Sequence, residues 1–433
     1  MAPEQTRRIP GPVRALLAAN LVSSLGGGLT LPFLLIYLHQ VRHIGLGLTG
    51  LLIGAASVAS VPAGPVTGSL VDRLGPRLVT SGALVVAAAG AFALILVRGP
   101  LSALPALVLF GVGNGSLWPA WTALFAVMVH DEQLRPRVFA RSFQLLNLGL
   151  GAGAVIAGVV VRVGQPATFE LIYAIDGITF FAVVAALCLQ PKSAFVRPAT
   201  AAHHLQARGG YREVLADRRF RRYLLGALLL AFAGYASVDA GLVGYATTVV
   251  LVHPDVIAWA FGANTGLIVV CQPLALRLTA RMRRSHALSF CAALFALSWG
   301  VLLLAGAFPR SVLGAGLVVA MFGVFAIGEV ALSPVGGPLV TLLARPALQG
   351  RYNALAASAY SLAGVVGPAI AGTMLAARLG DAYLGLLIGL AAAAGAAFQW
   401  MRPLLGDRLD NVAPGGRPHL EPATGPAERS RAS

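Results

Sequence analysis

The sequence predicts an all-α membrane protein with twelve transmembrane helices in two six-helix halves, both termini in the cytoplasm. Three observations carry this. First, hydrophobic residues make up 57% of the 433 residues and charged residues only 11%, where a soluble domain has about 25% charged. Second, apolar runs recur along the whole chain; at roughly 20 residues per crossing, the composition furnishes about twelve. Third, the basic residues cluster in alternate loops. These features exclude an ordinary soluble enzyme, a disordered chain and a secreted disulfide scaffold. They also exclude a transmembrane barrel, whose strands alternate polar and apolar residues; these runs are apolar throughout.

The runs, bounded by charge, Pro or Gly, cover residues 15–38, 45–70, 79–97, 101–129, 143–161 and 169–189 in the first half. In the second half they cover 223–252, 256–276, 287–308, 312–342, 352–377 and 383–400. Runs longer than about 25 residues tilt or extend past the bilayer. The expected organisation is an N-terminal half over 1–190, a cytoplasmic central loop over 191–222, a C-terminal half over 223–404 and a disordered cytoplasmic tail over 405–433. The tail is rich in Pro, Gly, Ala and charge. The first apolar run is too long for a signal peptide and reads as a retained first helix.

Charge tests the count. With both ends inside, 27 of the 32 Lys and Arg fall in cytoplasmic segments and five outside: Arg42, Arg98, Arg162, Arg310 and Arg378. One missed or extra helix would invert half the loops and erase that asymmetry. The net charge of +16 therefore reads as topology, not as a nucleic-acid footprint. Cys188, Cys271 and Cys291 all lie within apolar runs and read as small core residues, neither a disulfide set nor a metal site. In the central loop, YREVLADRRFRR carries basic residues interleaved with Val214, Leu215 and Phe220. It can form an amphipathic helix on the membrane face, though a linker between halves is the better reading.

Between spans two and three stands GSLVDRLGPR, from Gly68 to Arg77. Gly68 and Gly75 permit close packing and a tight turn, and Asp72 places an acid at the membrane boundary. This string resembles the G-x-L-x-D-R-x-G-x-[RK] signature of the major facilitator superfamily, and it lies in that family's position after the second of twelve helices. The resemblance covers residues 10–403. It implies that Gly68, Asp72, Arg73, Gly75 and Arg77 form a conformational latch, holding the halves together in the outward-facing state with the acid near the start of span eleven. The matching loop of the second half keeps Arg277, Arg281, Arg283 and Arg284 but has neither the acid nor the glycines. Span four lacks the membrane arginine of many proton-coupled members. Span five carries Gly149, Gly151, Gly153 and Gly158. It resembles the glycine-rich antiporter signature without its Gly-Pro pair, and tight packing is the preferred reading of these glycines.

A charge at the bilayer centre costs roughly 2.5–3.5 kcal/mol on insertion scales, so intramembrane acids are functional candidates. Three lie deep in apolar runs: Asp176 in span six, Asp239 in span seven and Glu329 in span ten. Each can exchange protons or attract a cationic substrate. Glu329 precedes Ser333, Pro334 and Gly336, a helix irregularity that can line a cavity. In the superfamily, spans one, four, seven and ten line the substrate cavity. That resemblance makes Asn20, Asn114 and Trp118 pocket candidates, with Tyr360 of span eleven beside them. The histidines lie mainly at loops and span ends, which leaves a histidine relay little support.

No G-x-S-x-G, Walker loop, H-E-x-x-H or dinucleotide fingerprint is present, so no enzymatic activity, metal or cofactor is expected. With no nucleotide site, the energy is expected to come from an ion gradient. The chain looks like the drug:proton antiporter branch of the superfamily. The expected function is alternating-access, proton-coupled efflux of small amphipathic or drug-like molecules by a monomer in the cell membrane. The alternative is an ion-coupled importer or uniporter of a small polar solute, which calls for a more polar pocket with paired charges. The expected partners are a small-molecule substrate and the lipid bilayer, with no nucleic acid.

Overall fold

The computed structural model describes residues 9–129, 134–191, 211–279, 282–345 and 348–410, and these are almost entirely helical. Before residue 190 the helices are α1 (Gly11–Thr30), α2 (Leu46–Ser60), α3 (Ala63–Leu74), α4 (Pro76–Ile95), α5 (Pro100–Met128), α6 (Arg135–Val160) and α7 (Pro166–Leu189). After it come α8 (Tyr211–Ala216), α9 (Arg218–Ala233), α10 (Pro254–Thr279), α11 (Arg284–Gly306), α12 (Val312–Leu343), α13 (Gln349–Ala376) and α14 (Gly380–Asp410). Four of them, α4, α5, α7 and α10, start on proline, whose missing N–H costs nothing at a helix start.

Among the described residues, ten helical stretches are long and apolar enough to cross a membrane. Two of the twelve expected runs are broken into shorter pieces. The run over 45–70 stops at Ser60 and restarts at Ala63, because Pro62 cannot continue the hydrogen-bond ladder. The run over 223–252 breaks at Gly234 and continues through π turns at Val238–Leu242 and Ala246–Val250. The Ala233 carbonyl at that break accepts from the Trp299 indole, so the interruption leaves that group satisfied inside the bundle. The first run also changes pitch. After Thr30 the chain tightens into a 3-10 turn at Leu31–Phe33, around Pro32, and ends in a π turn at Tyr37–Val41.

The interior loop and the tail differ from expectation where they are described. The basic stretch splits at Asp217, which caps α9 by accepting from the Arg219 N–H (2.8 Å). Val214 and Phe220 are buried, and the Tyr352 hydroxyl donates to Asp217 Oδ2 (3.0 Å). The segment therefore packs on protein instead of lying on a lipid face. Residues 405–410, expected in the disordered tail, carry α14 through a kink at Gly406 (φ +64°) into a short further helical segment. Asp410 is buried and accepts from the Ser285 N–H (2.9 Å) and hydroxyl (3.0 Å), at the start of α11 where a carboxylate is favoured. The tail from 411 and the loop from 192 to 210 lie outside the described residues. Of the cysteines, only Cys291 is fully buried; Cys188 is exposed at the end of α7, since an apolar run can face lipid as well as protein.

The helices pack in two groups. In the first, α1 lies on α6 and α7, α4 on α5 and α7, and α2 and α3 on α5. In the second, α11 lies on α12 and α14, α10 on α12, and α9 on α13 and α14. The groups meet chiefly where α2 crosses α13 and α6 crosses α10. Backbones nearly touch there. A Cβ on Gly50 would lie 2.8 Å from Gly372 Cα, and one on Gly54 would lie 2.9 Å from the Val365 carbonyl oxygen. A Cβ on Gly151 would strike Thr265, and one on Gly158 would strike Ala258. These contacts run from the starts of α2 and α10 to about their middles, and along the second halves of α6 and α13. At the opposite end Asn353, Ala357, Ser358 and Ser361 of α13 are exposed, as are Arg141, Phe143 and Gln144 of α6. The two groups are thus pinched at one end and parted at the end carrying residues 68–77.

A Cβ on Gly47 would lie 3.4 Å from Ala376 Cβ, close to the Cβ separation of a disulfide, about 3.8 Å. A Gly47→Cys/Ala376→Cys variant lacking the three native cysteines is expected to cross-link under mild oxidant, read by a gel shift after proteolysis in the central loop. Failure to cross-link would mean that this end does not close as described.

Candidate functional site

A cavity of about 220 Å³ opens between α1, α5, α6 and α7, on the side where the groups part. Asn20 and Asn114 both line it. Aromatic rings form much of the wall: Trp121, Phe125, Phe139, Phe143 and Phe180. Trp121 stacks on Phe125 at 5.9 Å, and Phe125 meets Phe139 edge-on at 5.9 Å. No lining residue carries a charge. Such a wall suits an amphipathic molecule, with large apolar area and a few amide and hydroxyl groups to orient it.

The two amides are held differently. Asn20 Nδ2 donates to the Ser142 carbonyl (3.0 Å) and to its hydroxyl (3.1 Å), tying α1 to α6 across the cavity floor. Asn114 Nδ2 donates to the Phe110 carbonyl one turn back on its own helix (2.9 Å). The side chain of Trp118 lies outside the described residues. Tyr360 is not in this cavity. It stands in the second group, its ring 6.0 Å from that of Tyr235, because the start of α13 packs against α9 and its extension, away from α1 and α5.

The acids separate just as clearly. Glu329 of α12 accepts from Asn264 Nδ2 of α10 (2.9 Å), and the Tyr235 hydroxyl reaches the same carboxylate. Asn264 and Tyr235 come from different helical segments, so sequence spacing could not pair them with Glu329. Asp176 of α7 is fully buried behind the cavity wall and accepts from the Thr30 hydroxyl (2.9 Å). The side chain of Asp239 lies outside the described residues; its backbone falls in the π turn Val238–Leu242, and such turns recur at functional sites.

At the motif, Gly75 has φ +82° and makes the turn between α3 and α4, a conformation glycine adopts at no steric cost. Arg77 Nη2 donates to the Cys188 carbonyl (2.8 Å) at the end of α7, a favourable place for a cation. Arg73 is exposed. The close packing expected of Gly68 is not found, since a Cβ there would meet nothing within 4 Å; it lies toward the end where the groups part. The side chain of Asp72 lies outside the described residues. The glycines of span five are packing surfaces on two sides. Gly149 and Gly153 seat α1 against α6, while Gly151 and Gly158 seat α10.

The sequence profile described as Major Facilitator Superfamily matches residues 16–253. The chain is 24% identical to the multidrug resistance protein MdtH of Aeromonas salmonicida over 363 residues, 80% of this chain and 83% of that one. It is 27% identical to the quinolone resistance protein NorA of Staphylococcus aureus over 168 residues, 39% of this chain and 42% of that one. Among solved structures, the peptide transporter POT in complex with sulfate matches with a TM-score of 0.73 at 19% identity, covering 93% of this chain and 96% of the other. The nucleoside transporter NupG matches at 0.70 and 12%, covering 91% and 99%. At these identities the structural likenesses establish the fold alone.

Replacing Asn20 by Ala removes both Ser142 bonds and leaves a partly buried carbonyl less satisfied, at a cost of about 1–3 kcal/mol. Asn114→Ala removes a bond to a carbonyl already within a helical ladder and is expected to cost less. The thermal midpoints of the two purified variants, measured side by side, check this order.

Proposed function

The chain belongs to the Major Facilitator Superfamily and is a multi-pass membrane transporter, and from that premise we propose that it exports amphipathic, drug-like molecules across the cell membrane in exchange for protons. In this reading residues 46–74 and 218–250 each cross the bilayer as interrupted helices. They bring the crossings to twelve and leave both termini in the cytoplasm. The pinched end then faces outward and the cavity opens inward, the loading state of an exporter. Residues 1–190 and 223–404 are the two rocking halves, each chain works as a monomer, and no cofactor is needed beyond the proton gradient.

One observation carries the choice of substrate: a cavity walled by Trp121, Phe125 and Phe139 with Asn20 and Asn114 but no charged side chain. A small polar solute such as a peptide or nucleoside would leave its own polar groups unpaired against those rings. The likeness to MdtH and NorA, whose names state drug resistance, supports the same reading. For coupling we assign the proton to Glu329, with Asp239 in the neighbouring π turn as its companion. Glu329 accepts from the Asn264 amide and is reached by the Tyr235 hydroxyl, two neutral groups that can stay in contact with either protonation form. For the latch we assign Asp72, Arg73 and Arg77, with Gly68 and Gly75, to the outward-facing state. That role fits the parted helix ends around them, which would come together when the opposite end opens.

The test uses purified protein in liposomes loaded with a pH-sensitive dye, an imposed proton gradient and a panel of lipophilic cations and neutral amphiphiles. Substrate-dependent proton movement is expected in the wild type and is expected to fall at least about tenfold, ~1.4 kcal/mol, in Glu329→Gln, with Asp239→Asn as the companion test. Labelled substrate that crosses with no proton movement in the wild type would overturn antiport and favour a uniporter or sodium-coupled carrier.

A further inference from the structure

Asp176 sits between α1 and α7 with no solvent exposure. Its Oδ2 accepts from the Thr30 hydroxyl (2.9 Å), and its Oδ1 has no hydrogen-bond partner among the described residues. The carboxyl occupies the notch left by Gly26; a Cβ there would collide with Oδ1 and with the Thr179 hydroxyl. Thr179 offers no help, because its hydroxyl donates to the Asp176 main-chain carbonyl (2.7 Å).

Among the described residues, no charged group contacts the Asp176 carboxyl. On α7 itself, Tyr173 stands one turn earlier with its hydroxyl also buried and unpartnered. The extension of α1 contributes Tyr37, whose ring lies 5.0 Å from that of Tyr173. The Tyr37 hydroxyl donates to the Leu94 carbonyl (2.7 Å) and accepts from Arg42 Nε (2.9 Å). Arg42 is already paired with Glu170 (2.6 Å), which also draws Arg98 to 3.7 Å. The α4 face presents Phe92, which packs on Gly177. The charged groups are thus spent on one another at the far end of the α1 extension.

A buried carboxylate with one donor and no cation is poorly satisfied, whereas the neutral acid loses that burden. Thr30 can serve either form. A hydroxyl has one proton and two acceptor lone pairs, and Thr30 Oγ1 also lies 3.4 Å from the Gly26 carbonyl oxygen and 3.3 Å from that of Gly27. With Asp176 ionised, Thr30 donates to the carboxylate. With Asp176 protonated, the new O–H donates to Thr30 Oγ1 and the threonine proton turns to a main-chain carbonyl. Thr30 is the last residue of α1 before the 3-10 turn. Gly27 and Leu31 beside it line the cavity, as does Phe180 one turn beyond Asp176.

We propose that Asp176 and Thr30 form a second protonation site, built into the back wall of the cavity, in which the arriving proton reverses the Thr30 hydrogen bond at the break in α1. The proton comes from hydronium, whose O–H bond breaks to leave water, and forms the O–H bond of the Asp176 carboxyl; no other covalent bond is made or broken. The inference rests on the transporter reading but not on export or on Glu329. Thr30 is a positioning residue here, acting through Asp176.

The test is infrared difference spectroscopy on the full-length protein in lipid nanodiscs, stepped from alkaline to acidic pH without substrate. A carbonyl-stretch band of a buried carboxylic acid is expected in Glu329→Gln, where Glu329 cannot contribute, and its loss is expected when Asp176→Asn is added to that variant. In the same background, Thr30→Val is expected to shift the pH at which the band appears, and Thr30→Ser to restore it. An unchanged band when Asp176→Asn is added, or an unchanged midpoint in Thr30→Val, would overturn the proposal. Should Asp176→Asn fail to fold, the Thr30 pair still decides it. Because nothing is transported in this measurement, its failure is distinct from a failure of the liposome test.

Discussion

Close backbone approach at one end of the molecule is the constraint on which the rest depends. Lipid tails are as apolar as leucine, so the hydrophobic effect gives two membrane helices little reason to associate. What holds the two groups together is dispersion between surfaces stripped of side chains, Gly50 against Gly372 and Gly151 against Thr265. Such contacts are short-ranged, since a gap of an ångström forfeits much of the attraction. An interface of this kind has two natural states, seated or separated. It also fixes the rest of the geometry. Seating α2 on α13 and α6 on α10 at one end forces the same helices apart at the other, where the cavity between α1, α5, α6 and α7 gains its opening.

The chemistry divides along the same lines. The cavity wall belongs to the first group and is uncharged. Glu329 belongs to the second and is held by Asn264 and reached by Tyr235. Asp176 returns to the first, hidden one helix face behind the wall. In the proposed mechanism, protonation of either acid would act on substrate through helix position, not by direct contact with a charge in the pocket. Thr30 and the π turn at Val238–Leu242 both stand at helix interruptions, where a small change in hydrogen bonding costs fewer ladder bonds than it would mid-helix.

Much of this was legible in the sequence, and the reasons are specific. The apolar runs and the arginine asymmetry report on the solvent around each segment, a local property, so the spans and their order follow from them. Gly75 was legible because a glycine between a predicted helix end and a proline start has one obvious use. The interruption at Pro62 was less so, since proline is tolerated inside membrane helices when neighbours satisfy the freed carbonyls; α12 carries Pro334 and Pro338 without a break. Partnerships between helices were not legible at all. Thr30 with Asp176, Asn20 with Ser142 and Asn264 with Glu329 are separated by 146, 122 and 65 positions, and no periodicity links them. The packing of Tyr360 against Tyr235 was hidden for the same reason: span order does not say which neighbour a face meets.

The packing role of the glycines explains why the span-five string resembles an antiporter signature without its Gly-Pro pair. Gly149 and Gly153 serve α1, while Gly151 and Gly158 serve α10. One helix thus carries a permanent contact within its own group and a separable contact with the other. The stripe toward α1 must stay seated for Asn20 to reach Ser142, and the stripe toward α10 must release if the opposite end is to open. A proline between them would kink α6 and shift the two stripes relative to each other. A straight α6 keeps both in register, so motion at the α10 seam is passed as a rigid rotation to the cavity wall formed by Phe139, Ser142 and Leu150. That mechanical path, from a glycine seam to an aromatic wall along one unbroken helix, requires no residue that changes charge. In the proposed antiport, protonation would need only to bias which state of the seam is preferred.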